Sequence, residues 1–254
     1  MTELVGILNL TPDSFSGDRV NPDEDKYLER VIEEAARLTK AGAGYIDIGA
    51  QSTRPGAQQL STKEEWARLE PILPELKQRY NGRLSLDTFQ PEVVRWAAKQ
   101  ADNLIVNDVT GFANPEMKQA TAELGLRCIV SHLPHEFGQN IQGAHASTRL
   151  IDSLEVVKQQ LLERRDELVT AGVHPDNIIL DPGIGFGKTP ALNRALLQFA
   201  GHVPGIPVMI GFSKKRFLGE HRMDKEPNQE AARVAIAAGA HYLRVHNPEW
   251  FTNL

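Results

Sequence analysis

The 254 residues are 41% hydrophobic and carry a formal charge of −5, a length and balance that suit one α/β domain over 1–254 with no linker dividing it. The acidic balance speaks against a nucleic-acid protein, no apolar run approaches the ~20 residues of a membrane span, and the start MTELVGILNL lacks a signal-type pattern, so a cytoplasmic chain with no nucleic-acid and no membrane partner is expected. The single Cys128 excludes an intrachain disulfide and, inside the apolar run RCIV, reads as buried packing.

Short apolar runs alternate with longer helical patterns. The runs are LVGILN (4–9), YIDIG (45–49), LSLD (84–87), LIVND (104–108), CIVSH (128–132), IILD (178–181), VMIGF (208–212) and YLRVH (242–246). The first helical stretch, 25–42, stops on Gly42, and the second, 61–78, opens on Ser61 with Glu64 three residues on, the pattern of a capping box. Stretches at 91–101, 115–125, 153–172, 191–201 and 228–239 follow. Trp66 and Trp96 fall within helical patterns and read as packing. Eight strands with helices between them predict a parallel sheet with right-handed crossovers, closed as a (β/α)8 TIM barrel. An open doubly wound sheet is the alternative. Only NPEWFTNL follows the last strand, so the eighth helix is expected to be short or missing.

Polar residues gather where these strands end: Asn9, Asp47, Asp87, Asn107, Asp108, His132, Asp181, the run Ser213-Lys214-Lys215, Arg244 and His246. In a barrel those ends meet on one face, the face that carries active sites. Asp87, Asn107, Asp181 and Lys215 offer acceptors, donors and a cation suited to a flat heterocycle with amide-like edges. Asn9, Arg244 and His246 suit an anion, and a pyrophosphate would bring Mg²⁺ held mainly by phosphate oxygens and water. The run GIGFGKT looks like a phosphate-binding Walker A loop, but that pattern needs Gly where Pro182 stands. His132, His135 and His145 lack a Cys or Glu at zinc-site spacing and read as part of a solvated loop. Lys214, Lys215 and Arg216 read as serving an anionic ligand.

In order along the chain, GILNLTPDSFS (6–16), DIGAQSTRPGA (47–57), LSLDT (84–88), NDVTG (107–111), LDPGIGFGK (180–188), GFSKKRF (211–217) and LRVH (243–246) match the signatures of one family, and the chain resembles dihydropteroate synthase from about Leu4 to His246. The resemblance implies condensation of p-aminobenzoate with 6-hydroxymethyl-7,8-dihydropterin pyrophosphate to 7,8-dihydropteroate and pyrophosphate, in folate biosynthesis, by an SN1-like path. It implies catalytic roles for Asp181, Lys215 and Asp87. The pterin would lie against Asp87, Asn107, Asp181 and Lys215, and pyrophosphate against Asn9, Arg244 and His246, with Mg²⁺ near Asn9. For p-aminobenzoate it implies Thr53, Arg54, Pro55, Phe186, Ser213 and Lys215. It also implies loops at 11–22 and 50–60 that order over the site, a homodimer built on helices late in the barrel, and a sulfonamide target. The chain departs from the family where Gln51 replaces Glu, where Lys214 replaces Arg, at Ser131-His132 in place of Met-His, across 133–147, and at Asn247 in place of Asp. Two other readings stay open: a non-catalytic pterin-binding paralogue or partner subunit, and a corrinoid-dependent methyltetrahydrofolate methyltransferase, against which the STRPG and SKKRF runs argue.

Overall fold

The structure, a computed structural model, describes residues 2–10, 26–53, 55–80 and 83–254; the expected lid at 11–22 and Arg54 lie outside the described residues. The eight strands are β1 (Glu3–Asn9), β2 (Tyr45–Gly49), β3 (Leu84–Asp87), β4 (Ile105–Asp108), β5 (Arg127–Ser131), β6 (Ile178–Asp181), β7 (Met209–Ile210) and β8 (Tyr242–Val245). All pair in parallel, in the order β6-β5-β4-β3-β2-β1-β8-β7. A parallel bridge between Leu180 and Val208 joins the two ends of that order, and Leu180 N donates to Pro207 O at 2.9 Å. The expected barrel is therefore the observed one.

Successive side chains on a strand point to opposite faces, and the register decides which face is the lumen. Ile46, Ile48, Leu84, Leu86, Val106, Cys128, Val130, Ile178, Leu180, Ile210, Leu243 and Val245 belong to the main apolar core shared with the helices. The alternate positions fill the lumen in layers. Val5, Ile105, Ile129, Ile179 and Met209 pack together with Tyr45 and Tyr242 against them. Arg127 donates to both tyrosine hydroxyls at 3.4 and 3.0 Å. The layer nearer the strand C-termini is polar: Asp47, Ser85, Asp87, Asn107, Asp181 and Arg244. An apolar layer thus underlies the polar one.

The helices are α1 (Tyr27–Lys40), α2 (Thr62–Leu69), α3 (Leu73–Tyr80), α4 (Pro91–Gln100), α5 (Pro115–Glu123), α6 (Ile141–Ala146), α7 (Leu154–Thr170), α8 (Pro190–Ala195) and α9 (Lys225–Ala237). Ser61 and Glu64 form the expected capping box. The stretch 61–78, read as one helix, is two: Pro71 has no N–H to continue the ladder, and α2 ends as Glu70 N donates to Trp66 O at 2.8 Å. The span 133–147, expected as loop, contains α6 and a 3-10 turn at His135–Phe137. Trp66 and Trp96 pack on each other, ring centroids 5.5 Å apart, and Cys128 is fully buried, with burial pushing its thiol pKa up.

After β8 comes a 3-10 turn, Pro248–Trp250, rather than a full helix. Phe251 beside it is buried edge-on against Phe212 at 5.9 Å. Gln229 of α9 donates to Trp250 O at 2.6 Å, and Arg37 of α1 bonds Glu249 at 3.1 Å. This turn occupies the slot between α9 and α1 where an eighth barrel helix would pack. Among the described residues no helix is long and apolar enough to cross a membrane.

Candidate active site at the barrel mouth

One guanidinium organises the polar layer. Arg244 Nε donates to Asp47 Oδ2 at 2.5 Å and its Nη2 to Asp87 Oδ2 at 2.7 Å. Asn107 Nδ2 donates to the same Asp47 oxygen at 3.1 Å. Burial works against the Arg244 cation, but Asp47 and Asp87 outweigh it and hold its pKa above the usual arginine range. Burial raises the Asp87 carboxyl to about 7 against the pull of Arg244, and the like charge of Asp47 adds to the rise. Arg244, expected at the anion end, is thus tied to Asp87, one of the side chains expected to hold the heterocycle, and to Asp47 beside it. Asn9 stands half-buried at the end of β1, its neighbouring loop outside the described residues. His246 pairs with Ser213, with Nδ1 3.1 Å from Oγ, and its backbone N–H donates to the same Oγ at 3.3 Å.

Asp181 and Lys215 face each other from β6 and the loop after β7. A Cβ on Gly211 would stand 3.6 Å from Asp181 Oδ2 and 3.8 Å from Lys215 Nζ, so a larger residue there would crowd the space between them. Burial raises the Asp181 pKa against the opposing charge of Lys215, and burial lowers Lys215 to about 8 against the pull of Asp181. Lys215 Nζ also donates to Ile184 O at 2.6 Å and lies 5.4 Å from the Phe186 ring centroid.

The turn after Asp181 explains the near-match to a phosphate loop. Gly183 has φ +61° and donates its N–H to Asp181 Oδ1 at 2.8 Å; a Cβ there would sit 2.1 Å from His132 O, so only glycine fits. Lys188 points inward, buried, and donates to His132 O, Gly183 O and Phe186 O at 3.1, 2.8 and 2.9 Å. It fastens its own turn. Sequence reasoning missed this role, since a lysine before a threonine carries no mark of which way it points.

An apolar lip flanks the polar mouth. Phe89, Val109, Leu133, Ile141 and Ala144 form a small buried cluster, with Phe137 and Phe186 packed on it. Polar anchors below and an apolar wall beside them suit a flat aromatic ligand. Thr53 is half-buried and Pro55 exposed. His145, which the sequence placed in a solvated loop, stacks on Phe186 with centroids 5.3 Å apart and bonds Thr53 O at 2.8 Å.

Two other expectations need correction. His132 is buried rather than solvated; Gln160 stands 2.9 Å from its Nε2, and burial lowers its pKa. Of the three cations at 214–216, Lys215 alone turns to the mouth: Lys214 lies 5.5 Å from the Trp250 ring, and Arg216 is exposed in a 3-10 turn. Position 214, where the family has Arg, therefore does not face the mouth in this chain. Gln51 is buried, accepts from Leu60 N at 2.9 Å and reaches Glu65 at 3.5 Å. A Glu at 51 would set two carboxylates together there, since burial already raises Glu65 to about 7.

A closed parallel barrel with buried carboxylates, a lysine and an arginine gathered at the strand C-termini defines a barrel enzyme of small-molecule chemistry. The comparisons narrow that class. The model of the family described as pterin binding enzyme matches residues 5–246. The dihydropteroate synthase of Synechocystis sp. is 37% identical over 257 residues, spanning 98% of this chain and 86% of that protein. The solved dihydropteroate synthase of Xanthomonas albilineans with 4-aminobenzoic acid superposes with a TM-score of 0.83 at 32% identity, over 99% of this chain and 90% of that one. That of Yersinia pestis with a sulfonamide drug does so at 0.87 and 30%, over 99% and 91%. The chain belongs to the pterin binding enzyme family, and within it to the dihydropteroate synthases.

Proposed function

We propose that the barrel mouth joins p-aminobenzoate to 6-hydroxymethyl-7,8-dihydropterin pyrophosphate, giving 7,8-dihydropteroate and pyrophosphate in folate biosynthesis. The observation that carries this reading is the facing pair of Asp181 and Lys215 beside the Asp47–Arg244–Asp87 cluster and Asn107. Asp87, Asn107 and Asp181 present acceptors and a donor to the edges of a pterin, and Lys215 a cation to its carbonyl side. As the methylene C–O bond breaks, its electron pair leaves with pyrophosphate and positive charge develops on the pterin. A fixed Asp181 carboxylate stabilises that charge without reorganisation. The arylamine nitrogen then forms the new C–N bond and loses a proton. Thr53, Pro55, Phe186, Ser213 and Lys215 would border the p-aminobenzoate, together with Arg54. His246, held by Ser213, and Asn9 would meet the pyrophosphate, and Arg244 would reach it from the cluster it organises. A sulfonamide would compete on the p-aminobenzoate side. The proposed setting is cytoplasmic, and the proposed assembly a homodimer.

Mg²⁺ fits this donor set only as a companion of the substrate. Among the described residues no group of three His, Cys, Asp or Glu side chains is arranged to hold a metal. The Asn9 amide at the end of β1 offers the one neutral oxygen that a cation bound mainly by pyrophosphate and water requires. Bound there, the ion would neutralise charge on the leaving group.

The deciding assay follows pyrophosphate release from the pterin pyrophosphate with Mg²⁺. Release that requires p-aminobenzoate is expected. No release, or release indifferent to the amine, overturns the reading, and tight pterin binding without turnover would favour a non-catalytic paralogue.

Lys215 gives a pH signature. Its pKa of about 8 means that kcat/KM should fall as pH rises through about 8 and the ammonium is lost. Loss of this proton would not itself destabilise the fold. A lysine depressed from about 10.4 in the unfolded chain makes the folded state bind fewer protons between about 8 and 10.4, so this group's contribution to stability rises with pH there. In Lys215→Arg any residual activity should be flat across that range; a persisting decline would assign the titration to another group.

A further inference from the structure

The short helix α6 is seated firmly and reaches across the mouth. Ile141 and Ala144 are buried in the apolar lip, and the Asn140 side chain accepts from Gly143 N at 2.8 Å. From this base two side chains grip the 50–60 loop. Gly56 N donates to Gln142 Oε1 at 2.8 Å, and Gln142 Nε2 donates to Ala57 O at 3.3 Å. His145 reaches Thr53 O at 2.8 Å. A carbonyl only accepts, so His145 Nε2 carries the proton in this contact. The same imidazole stacks on Phe186, with centroids 5.3 Å apart and planes inclined by 36°. The foot of the loop has separate fastenings: Leu60 N donates to Gln51 Oε1, and Arg68 donates to Ala50 O at 3.0 Å.

One imidazole therefore touches both candidate walls of the arylamine pocket, by a hydrogen bond to one and ring contact with the other. We infer that His145 is a positioning residue that sets the spacing of Thr53 and Phe186, and through it the affinity and ring-size selectivity of the enzyme toward its arylamine substrate. The inference rests on the proposed synthase activity. The heterocycle end does not depend on His145, because Asp87, Asn107 and Asp181 are carried by strands and held by Arg244, Asp47 and Gly183.

The test compares His145→Ala, His145→Phe, which keeps a ring, and His145→Gln, which keeps an N–H donor. For His145→Ala the KM for p-aminobenzoate should rise about tenfold, the scale of one lost hydrogen bond with its ring contact. The KM for the pterin pyrophosphate and kcat should stay within about twofold. The other two variants should each recover part of the loss. Amide hydrogen exchange across 53–60 should quicken in His145→Ala, with the melting temperature little changed. Equal rises in both KM values, or no rise in either, overturn the inference while leaving the synthase reading standing. An unsubstituted chain that shows no p-aminobenzoate-dependent turnover overturns the synthase reading, and the inference falls with it.

Discussion

Asp181→Asn is expected to lower kcat by roughly 10²–10³-fold while the barrel stays folded. The substitution keeps the shape of the side chain and an oxygen for the Gly183 N–H, which now donates to Asp181 Oδ1 at 2.8 Å. It removes the negative charge at the position where a pterin cation would develop. A fixed charge in a buried site of this kind is worth about 3–4 kcal/mol of barrier. The site also loses the partner of Lys215, whose pKa Asp181 now raises against burial; the lysine should then shed its proton at lower pH, narrowing the range of residual activity. Initial rates of pyrophosphate release with a parallel thermal melt decide the matter. Turnover near that of the unsubstituted chain would remove Asp181 from the proposed chemistry.

Lys188→Met should cost stability first and activity second. Its side chain is 5% exposed and donates to three carbonyls, His132 O, Gly183 O and Phe186 O. Burial lowers its pKa well below the usual lysine value, against Asp181, yet only the ammonium form has three N–H groups to offer. Methionine fills similar space and donates nothing. Gly183 O would keep the Phe186 N–H at 3.2 Å, but His132 O and Phe186 O would lose their donor. Each buried carbonyl left without a partner costs about 1–3 kcal/mol, so a loss on the order of 3 kcal/mol is expected. For a chain of this size that is a fall of roughly 10 °C in melting temperature. Because the freed turn carries Phe186 and follows directly on Asp181, turnover below the melt should drop as well. A melting temperature within about 2 °C of the original would show that the turn holds without its lysine.

These two residues mark where the sequence is legible and where it is not. Asp181 was readable because it ends an apolar run in IILD, and a barrel sends that end to the mouth. The strands as a group were readable for the same reason: their outward faces pack on helices and must be apolar. Lys188 was not readable, since its partners are backbone carbonyls contributed by β5's loop and its own turn, and such contacts leave no pattern of residue types. His145 was misplaced because its burial depends on α6, a helix of six residues whose period is too short to detect. The split at Pro71 was signalled by the proline itself. Lys214 and Lys215 are neighbours with the same side chain, and only the backbone turn at Lys214, φ +60°, sends one toward Trp250 and the other to the mouth.

The strand ring is unevenly stitched. β1 and β2 share five register pairs, whereas β6 and β7 meet through one bridge, Leu180 to Val208. Asp181 stands on one bank of that seam and Lys215 on the other. The 2.6 Å bond from Lys215 to Ile184 O spans the same gap and does not depend on the Asp181 charge. The lysine proposed to meet the substrate is thus also a tie rod across the barrel's most thinly paired join, where one bridge links the strands and a side-chain bond spans the gap above it.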